Sequence, residues 1–281
     1  RWDMTNNTIR SIAVQRQGKF SNPHFVGNNA ISVQIGHPDW SALLIDLEGQ
    51  VVRAWPTNTH TGYANDRSFT VTQVEEGKAT KISLIDAKGA MMSEVDLRGV
   101  EKGADQATDD GFHVITRKGR DVQYFRDGQL IRQFSGDSRR HPTNEYQTPF
   151  YSFVHQTPSA KPYAVSTMVD DTRFMLWDLD QGRLVCTGIK PEKDYSIFIW
   201  PEGSTRVFLH SSPPAAVDPA TCGVQIIGGP GDRLSWTKER AFLANSSTGR
   251  VSEIDPVSFQ VKRSFDTGLS RAPSGDHEPY M

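Results

Sequence analysis

The feature that most constrains the fold is a hairpin motif that recurs about every forty residues along the chain. Each copy has an apolar run, an aspartate that begins a turn, and a second run of alternating apolar residues, as in 42–53 and 82–92. An aspartate side chain accepts hydrogen bonds from the next backbone amides and so starts a tight turn. The turn aspartates are Asp3, Asp46, Asp86, Asp127, Asp178, Asp218 and Asp255.

Between successive hairpins lie further short runs in which β-branched and aromatic residues recur at every second position. Such runs, bounded by Gly, Pro, Asn or Asp, predict strands, and they include 68–74, 112–116, 149–154, 163–168, 196–200 and 206–209. No long stretch shows the 3.6-residue period of a helix. We therefore predict an all-β fold, a β-propeller of about seven four-stranded antiparallel blades, with residues 1–281 forming a single domain.

Closure of the last blade is expected to be incomplete. If Asp3 marks the hairpin between the third and fourth strands of a blade, the first two strands of that blade must come from the other end of the chain. After the Asp255 hairpin only residues 269–281 remain, enough for one strand rather than two. Because open sheet edges invite aggregation, we expect a thin last blade or its completion by another segment or subunit.

Two groups of hairpins resemble known propeller families. The Trp2-Asp3 and Trp177-Asp178 hairpins resemble the end of a WD40 repeat, whereas 217–221 and 254–258 resemble YVTN and amine-dehydrogenase-like propellers. The resemblance covers nearly the whole chain and concerns the hairpins. It implies a repeat protein with a propeller fold. The second group also implies a periplasmic or secreted enzyme or enzyme subunit, amine-dehydrogenase-like or lactonase-like, with its site at the mouth of the central channel.

Composition and missing motifs favour a binding function. Lys and Arg total 31 against 33 Asp and Glu, a net charge of −2, which argues against nucleic-acid binding. The apolar runs are too short to span a membrane. The chain lacks a Gly-x-Ser-x-Gly elbow, a phosphate loop, His-Glu-x-x-His and Cys-x-x-Cys. We expect a non-enzymatic scaffold without a cofactor that binds a protein partner; the alternative is the enzyme described above.

Two long segments outside the predicted strands, 56–67 and 138–148, carry Arg, His and Tyr together. Long loops often carry function. Arginine forms charge-assisted hydrogen bonds with carboxylates, and tyrosine offers flat contact area. We therefore predict an acidic or carboxylate-bearing partner and a partner-binding surface made of His60, Tyr63, Arg67, Arg139, Arg140, His141, Tyr146 and His155. The acidic segment 99–111 is predicted to be a linker.

Two questions about the chemistry of the chain stay open at this stage. His60, His141 and His155 would lie near the first strands of different blades, where a metal could collect three or four ligands, or they could serve no such role. Cys186 and Cys222 could form one disulfide, which would suit the periplasmic or secreted location, or remain two free thiols.

Overall fold

The computed structural model describes residues 2–3, 8–9, 19–36, 41–65, 67–108, 110–140, 149–154, 161–192, 197–200, 204–236, 240–245, 247–255 and 258–268. All regular structure in these residues is β-strand. The strands form six four-stranded antiparallel sheets and one two-stranded sheet. This confirms the predicted all-β architecture of repeated four-stranded units.

The first of two compact units spans Arg1–Gln133. It begins with the pair β1 (Trp2–Asp3) and β2 (Thr8–Ile9), in which Asp3 pairs with Thr8. Three four-stranded sheets follow, each in chain order: β3 (Lys19–Val26), β4 (Ala30–Gly36), β5 (Ser41–Asp46) and β6 (Val51–Ala54); β7 (Thr59–Asn65), β8 (Ser68–Glu75), β9 (Lys78–Asp86) and β10 (Met91–Asp96); β11 (Glu101–Thr108), β12 (Gly111–Lys118), β13 (Asp121–Arg126) and β14 (Gln129–Ser135), whose last residues belong to the second unit.

The second unit spans Phe134–Met281. Its three sheets have the same sequential strand order. They are formed by β15 (Phe150–Phe153), β16 (Tyr163–Thr167), β17 (Arg173–Asp178) and β18 (Arg183–Ile189); β19 (Ile197–Ile199), β20 (Val207–His210), β21 (Ala215–Val217) and β22 (Val224–Ile226); β23 (Asp232–Trp236), β24 (Ala241–Asn245), β25 (Arg250–Ile254) and β26 (Val261–Asp266). The grouping of residues 1–281 into one domain stays a prediction.

Neighbouring sheets within each unit pack mainly through buried apolar side chains of their first three strands. In the first unit Leu44 and Phe69 belong to one core cluster, which joins the β3–β6 and β7–β10 sheets. In the second unit Phe174 and Phe198 do the same, with ring centroids 5.0 Å apart. The fourth strands lie at the sheet edges, and all residues of β6 and β26 are exposed. The apolar runs seen in the sequence are therefore the middle strands.

The predicted turn chemistry is confirmed at most of the repeated aspartates. The Oδ1 atom of Asp46 accepts hydrogen bonds from the Glu48 and Gln50 amides at 3.0 and 2.8 Å. Equivalent bonds to amides further along the turn form at the third-to-fourth-strand hairpins of Asp86, Asp178, Asp218 and Asp255. These aspartates thus fix the hairpin between the third and fourth strands of their five sheets.

Asp127 begins a different turn. Its φ is +49° and that of Gly128 is +81°, the left-handed pair of a two-residue hairpin. The Oδ1 atom of Asp127 accepts the Phe112 amide at 2.8 Å. The prediction that every turn aspartate bonds its own following amides was wrong here. The two-residue turn is shorter than the other turns, so the carboxylate reaches the neighbouring strand.

Replacing Gly128 with valine is expected to destabilise the protein by more than the roughly 1–3 kcal/mol of a strained left-handed residue. A Cβ at position 128 would also lie 2.6 Å from the Glu94 carbonyl oxygen, whereas one at Gly119, where φ is +60°, would meet nothing within 4 Å. Gly119→Val is therefore the matched control for backbone strain alone. Urea unfolding measures both variants; equal losses of stability would show that the Glu94 contact is absent.

Two segments that the sequence predicts to lie outside strands each contain a strand. Segment 56–67 contains β7, and the 99–111 segment, predicted to be a linker, contains β11. Both are first strands of their sheets. The residues of β11 are mostly small or polar and only partly buried, so they lack the apolar alternation by which strands are recognised.

The structure decides between the two alternatives for the cysteines. Cys186 of β18 and Cys222, in the turn between β21 and β22, form a disulfide with Cα atoms 5.6 Å apart. Both residues pack against the core cluster between the two sheets. The bond therefore joins neighbouring sheets of the second unit.

Candidate functional site

His60 lies on β7, where it faces the preceding sheet. Its Nδ1 atom is 2.8 Å from the amide nitrogen of Gln34, which is 3% exposed. The His60 side chain is itself partly buried. This residue therefore bridges two sheets of the first unit, and the prediction that a long loop presents it was wrong because the segment is a strand. The same strand carries Tyr63, which pairs with Phe69.

Arg67 borders a crevice between the β7–β10 and β11–β14 sheets. We call this cavity of about 280 Å³ the Arg67 crevice; it is lined by Asn65, Arg67, Ser68, Leu84, Met92, Ser93, Thr108, Gly111, Phe112 and Asp127. Arg67 is exposed, and Met92 is 61% exposed. The structure gives Arg67 no ion pair with any described residue. Arg67 is thus a predicted partner-binding residue that lines this crevice.

Hydrogen bonds within the turn that carries Arg67 hold this turn in place. The Oδ1 atom of Asn65 accepts the Arg67 amide at 2.8 Å and the Ser68 hydroxyl at 2.9 Å. On the other side of the crevice, the Asp127 carboxylate is held by the Phe112 amide. Both walls are thus fixed by short-range hydrogen bonds. Buried Ser93 Oγ has no hydrogen-bond partner in the described part of the chain.

A buried network supports the Thr108 side of the crevice. The His113 ring is 2.9 Å from Thr108 Oγ1 through Nε2 and 2.7 Å from the Tyr124 hydroxyl through Nδ1. Burial of His113, which is 3% exposed, lowers the pKa of its ring despite the nearby Asp110 carboxylate. The ring is therefore kept neutral as a packing element. Its hydrogen bonds hold Thr108 in position.

Arg139 is not available to a partner. Its side chain is 9% exposed, and its guanidinium contacts the fully buried Asp137 carboxylate at 2.5 Å and Asp171 at 3.2 Å. It also donates to the backbone carbonyls of Ser166 and Arg173. The expectation that Arg139 offers free donors is corrected, because these N–H groups are already used inside the second unit.

The Arg139 contacts belong to a longer network in the β15–β18 sheet. The indole Nε1 of Trp177 donates to the Ser166 hydroxyl at 3.0 Å, and that hydroxyl donates to Asp137 Oδ2 at 2.8 Å. The Asp137 amide donates to the Tyr151 hydroxyl at 2.6 Å. The network fastens the segment before β15 to the sheet, so its role is structural.

The other predicted partner-binding residues divide into two groups. Arg140 is exposed. His141, Tyr146 and His155 lie outside the described residues. The question whether His60, His141 and His155 form a metal site thus falls largely outside them as well. In the part of the chain that is described, no group of three or more His, Cys, Asp or Glu side chains could hold a metal.

Sequence reasoning missed most of the crevice lining, including Met92, Thr108 and Asp127. These residues come from an outer strand, the end of a first strand and a turn of the next sheet. One signal was present, since Asp127 is followed directly by glycine, unlike the other turn aspartates. That these residues line one crevice depends on how the two sheets pack against each other.

Comparisons with known proteins bear on the fold. No protein-family model matches the chain, and no curated protein matches it by sequence. Solved structures do match. Apo AztD from Citrobacter koseri is 12% identical with a TM-score of 0.52, covering 87% of this chain and 72% of that one. Kluyveromyces lactis Hsv2 is 8% identical with a TM-score of 0.55, covering 90% and 88%.

A chain in the mitotic checkpoint complex is 12% identical with a TM-score of 0.54, covering 87% of this chain and 77% of that one. These neighbours are WD40- and propeller-type proteins. At such identities the likeness concerns the fold alone. Together with the repeated four-stranded sheets, it shows that the chain has a β-propeller fold and confirms the predicted resemblance. In the described residues there is no helix of the length and apolarity that a bilayer crossing requires.

Proposed function

We propose that this propeller is a non-enzymatic scaffold that binds an acidic segment of a protein partner at the Arg67 crevice. One observation carries the proposal: exposed Arg67 and exposed Met92 line the same cavity of about 280 Å³. Arg67 has no ion-pair partner among the described residues. A propeller-type neighbour occurs in a protein complex, which supports an interaction role.

The chemistry of the crevice selects one kind of segment. A partner carboxylate would form charge-assisted hydrogen bonds with the Arg67 guanidinium. An apolar partner side chain would pack on Met92, whose flexible thioether adapts to varied shapes. The Asp127 carboxylate in the same lining repels further negative charge. The favoured segment therefore combines one acidic residue with an apolar neighbour instead of a run of acids.

Selection from a library of random displayed peptides tests the proposal on the full chain. We expect enriched sequences with one acidic residue beside an apolar one. A synthetic peptide of that sequence should bind about tenfold or more weakly to Arg67→Glu than to the wild type, because the charge pair becomes repulsive. Arg120→Glu is the matched control, an exposed arginine at a turn of the same unit.

Binding that is unchanged by Arg67→Glu, or weakened equally by Arg120→Glu, would show that the segment binds elsewhere. Arg140, Tyr63, His141, Tyr146 and His155 stay proposed contacts for the same partner. We also propose a periplasmic or extracellular location, because the Cys186–Cys222 disulfide suits an oxidising compartment. Metal analysis of the purified protein tests the enzymatic alternative.

A further inference from the structure

A polar row crosses the last sheet of the second unit. Asp232 of β23 pairs with Asn245 of β24, Asn245 with Arg250 of β25, and Arg250 with Asp266 of β26. Side chains of directly paired residues in antiparallel strands lie on the same face of the sheet. Two carboxylates, an amide and a guanidinium are therefore aligned across all four strands.

Much of this row borders a crevice of about 500 Å³, within the range of small-molecule sites. Asp232, Asn245 and Arg250 share its lining with the hydroxyl of Ser252 and with apolar residues. The apolar part of the lining is formed by Ile227, Leu243 and Val261. The cavity thus combines a charged rim with surface for a carbon skeleton.

The amide and one carboxylate of the row are occupied by structural hydrogen bonds. The Nδ2 atom of Asn245 donates to Asp232 Oδ1 at 2.8 Å, and its Oδ1 accepts the Ser247 amide at 3.1 Å. The Oδ2 atom of Asp232 accepts the Gly229 amide at 2.7 Å. These bonds tie the glycine-rich segment before β23 to the sheet and make this wall rigid.

The guanidinium of Arg250 is the group in the row that still has N–H donors available for a ligand. Its Nη2 atom donates to the Ser264 hydroxyl at 3.1 Å, and Ser264 Oγ is 2.9 Å from Ser252 Oγ. No carboxylate of the described residues lies within ion-pairing distance of the guanidinium. An arginine fork has five N–H donors, so most of its donors are open to a ligand.

We propose that this crevice binds a small organic carboxylate, with Arg250 as the anchor. The planar guanidinium matches a carboxylate in two parallel hydrogen bonds. The Asp232 carboxylate in the lining opposes a doubly charged phosphate, and its remaining lone pairs accept a donor on the carbon next to the ligand carboxylate. The ligand is therefore a hydroxy acid or an amino acid. This site lies in the second unit and is independent of the proposed partner binding.

Calorimetric titration of the full chain tests the proposal with two acids and their neutral or uncarboxylated counterparts. The probes are D-gluconate against D-glucitol, and L-leucine against L-leucinol, which distinguish the hydroxy-acid and amino-acid classes. We expect saturable binding of at least one acid, and about tenfold weaker binding of that acid to Arg250→Gln. Its counterpart without a carboxylate should bind weakly to both proteins.

Arg233→Gln is the matched control. Arg233 is an exposed arginine of the same sheet, and its side chain lies on the opposite face from that of the adjacent Asp232. If Arg250→Gln does not fold, Arg250→Lys keeps the charge but loses the fork, and it should also weaken binding. The proposal is overturned if neither acid saturates at millimolar concentrations, if both arginine variants bind equally, or if the counterpart without a carboxylate binds as well as the acid.

Discussion

Replacing Arg139 with alanine is expected to destabilise the protein by about 3–5 kcal/mol, the loss seen when one partner of a buried ion pair is removed. The substitution leaves the fully buried Asp137 carboxylate without the guanidinium that lies 2.5 Å away. It also removes donors from the Ser166 and Arg173 carbonyls. Chemical denaturation measures the change in unfolding free energy.

Arg140→Ala is the control for this prediction, because Arg140 is the exposed neighbour in the same segment. We expect its effect to stay within about 0.5 kcal/mol, as for an ordinary surface substitution. If the two variants have equal stability, the guanidinium of Arg139 does not hold Asp137.

Acid titration gives a second test of the same contact. Burial opposes ionisation of Asp137, but hydrogen bonds from Arg139 and Ser166 hold the pKa of its carboxyl below the usual range. The unfolded carboxyl, with a pKa of about 3.9, binds its proton first as the pH falls. This stabilisation is thus complete above that value and is lost below it. We expect the stability gap between wild type and Arg139→Ala to narrow on acidification.

Replacing both Cys186 and Cys222 with serine is expected to lower the unfolding free energy by about 3–4 kcal/mol. The bond closes a loop between residues separated by 36 positions and so restricts the unfolded chain. It also joins two sheets whose common core includes Phe174 and Phe198. Urea unfolding under oxidising conditions compares the double variant with the wild type.

A reducing agent provides the control for the disulfide prediction. It should lower the stability of the wild type to that of the double variant and leave the double variant unchanged. Mass spectrometry after thiol alkylation counts the free cysteines in the untreated protein. Two alkylated thiols in the native wild type would contradict the disulfide.

The hairpins and middle strands were predictable because their causes are local. At Asp46 the carboxylate accepts amides only two and four residues further along the chain, so the turn is encoded in a short segment. The middle strands bury nearly continuous apolar runs, as in β5. The first strands β7 and β11 escaped prediction, since their small and polar residues show no such pattern.

The candidate sites were predictable only in part. Segment 56–67 contains Arg67, which does border a cavity, but its lining comes from residues up to Asp127. Arg139 has the residue type of an interface donor, yet its acceptors include Asp171, 32 positions away. Residue type alone does not distinguish a free guanidinium from a paired one. Arg250 carried no sequence signal at all.

The sequence by itself determined the repeat, the four-stranded unit and the hairpin turns, because each depends on contacts within a few residues. Only the tertiary structure decided the Cys186–Cys222 disulfide, the burial of Arg139 and the two crevices. Each of these depends on how segments distant in the sequence pack together, either neighbouring sheets or, for Arg139, the segment before β15 against β16 and β17. That packing is set by long-range contacts between side chains, and a short sequence pattern does not specify them.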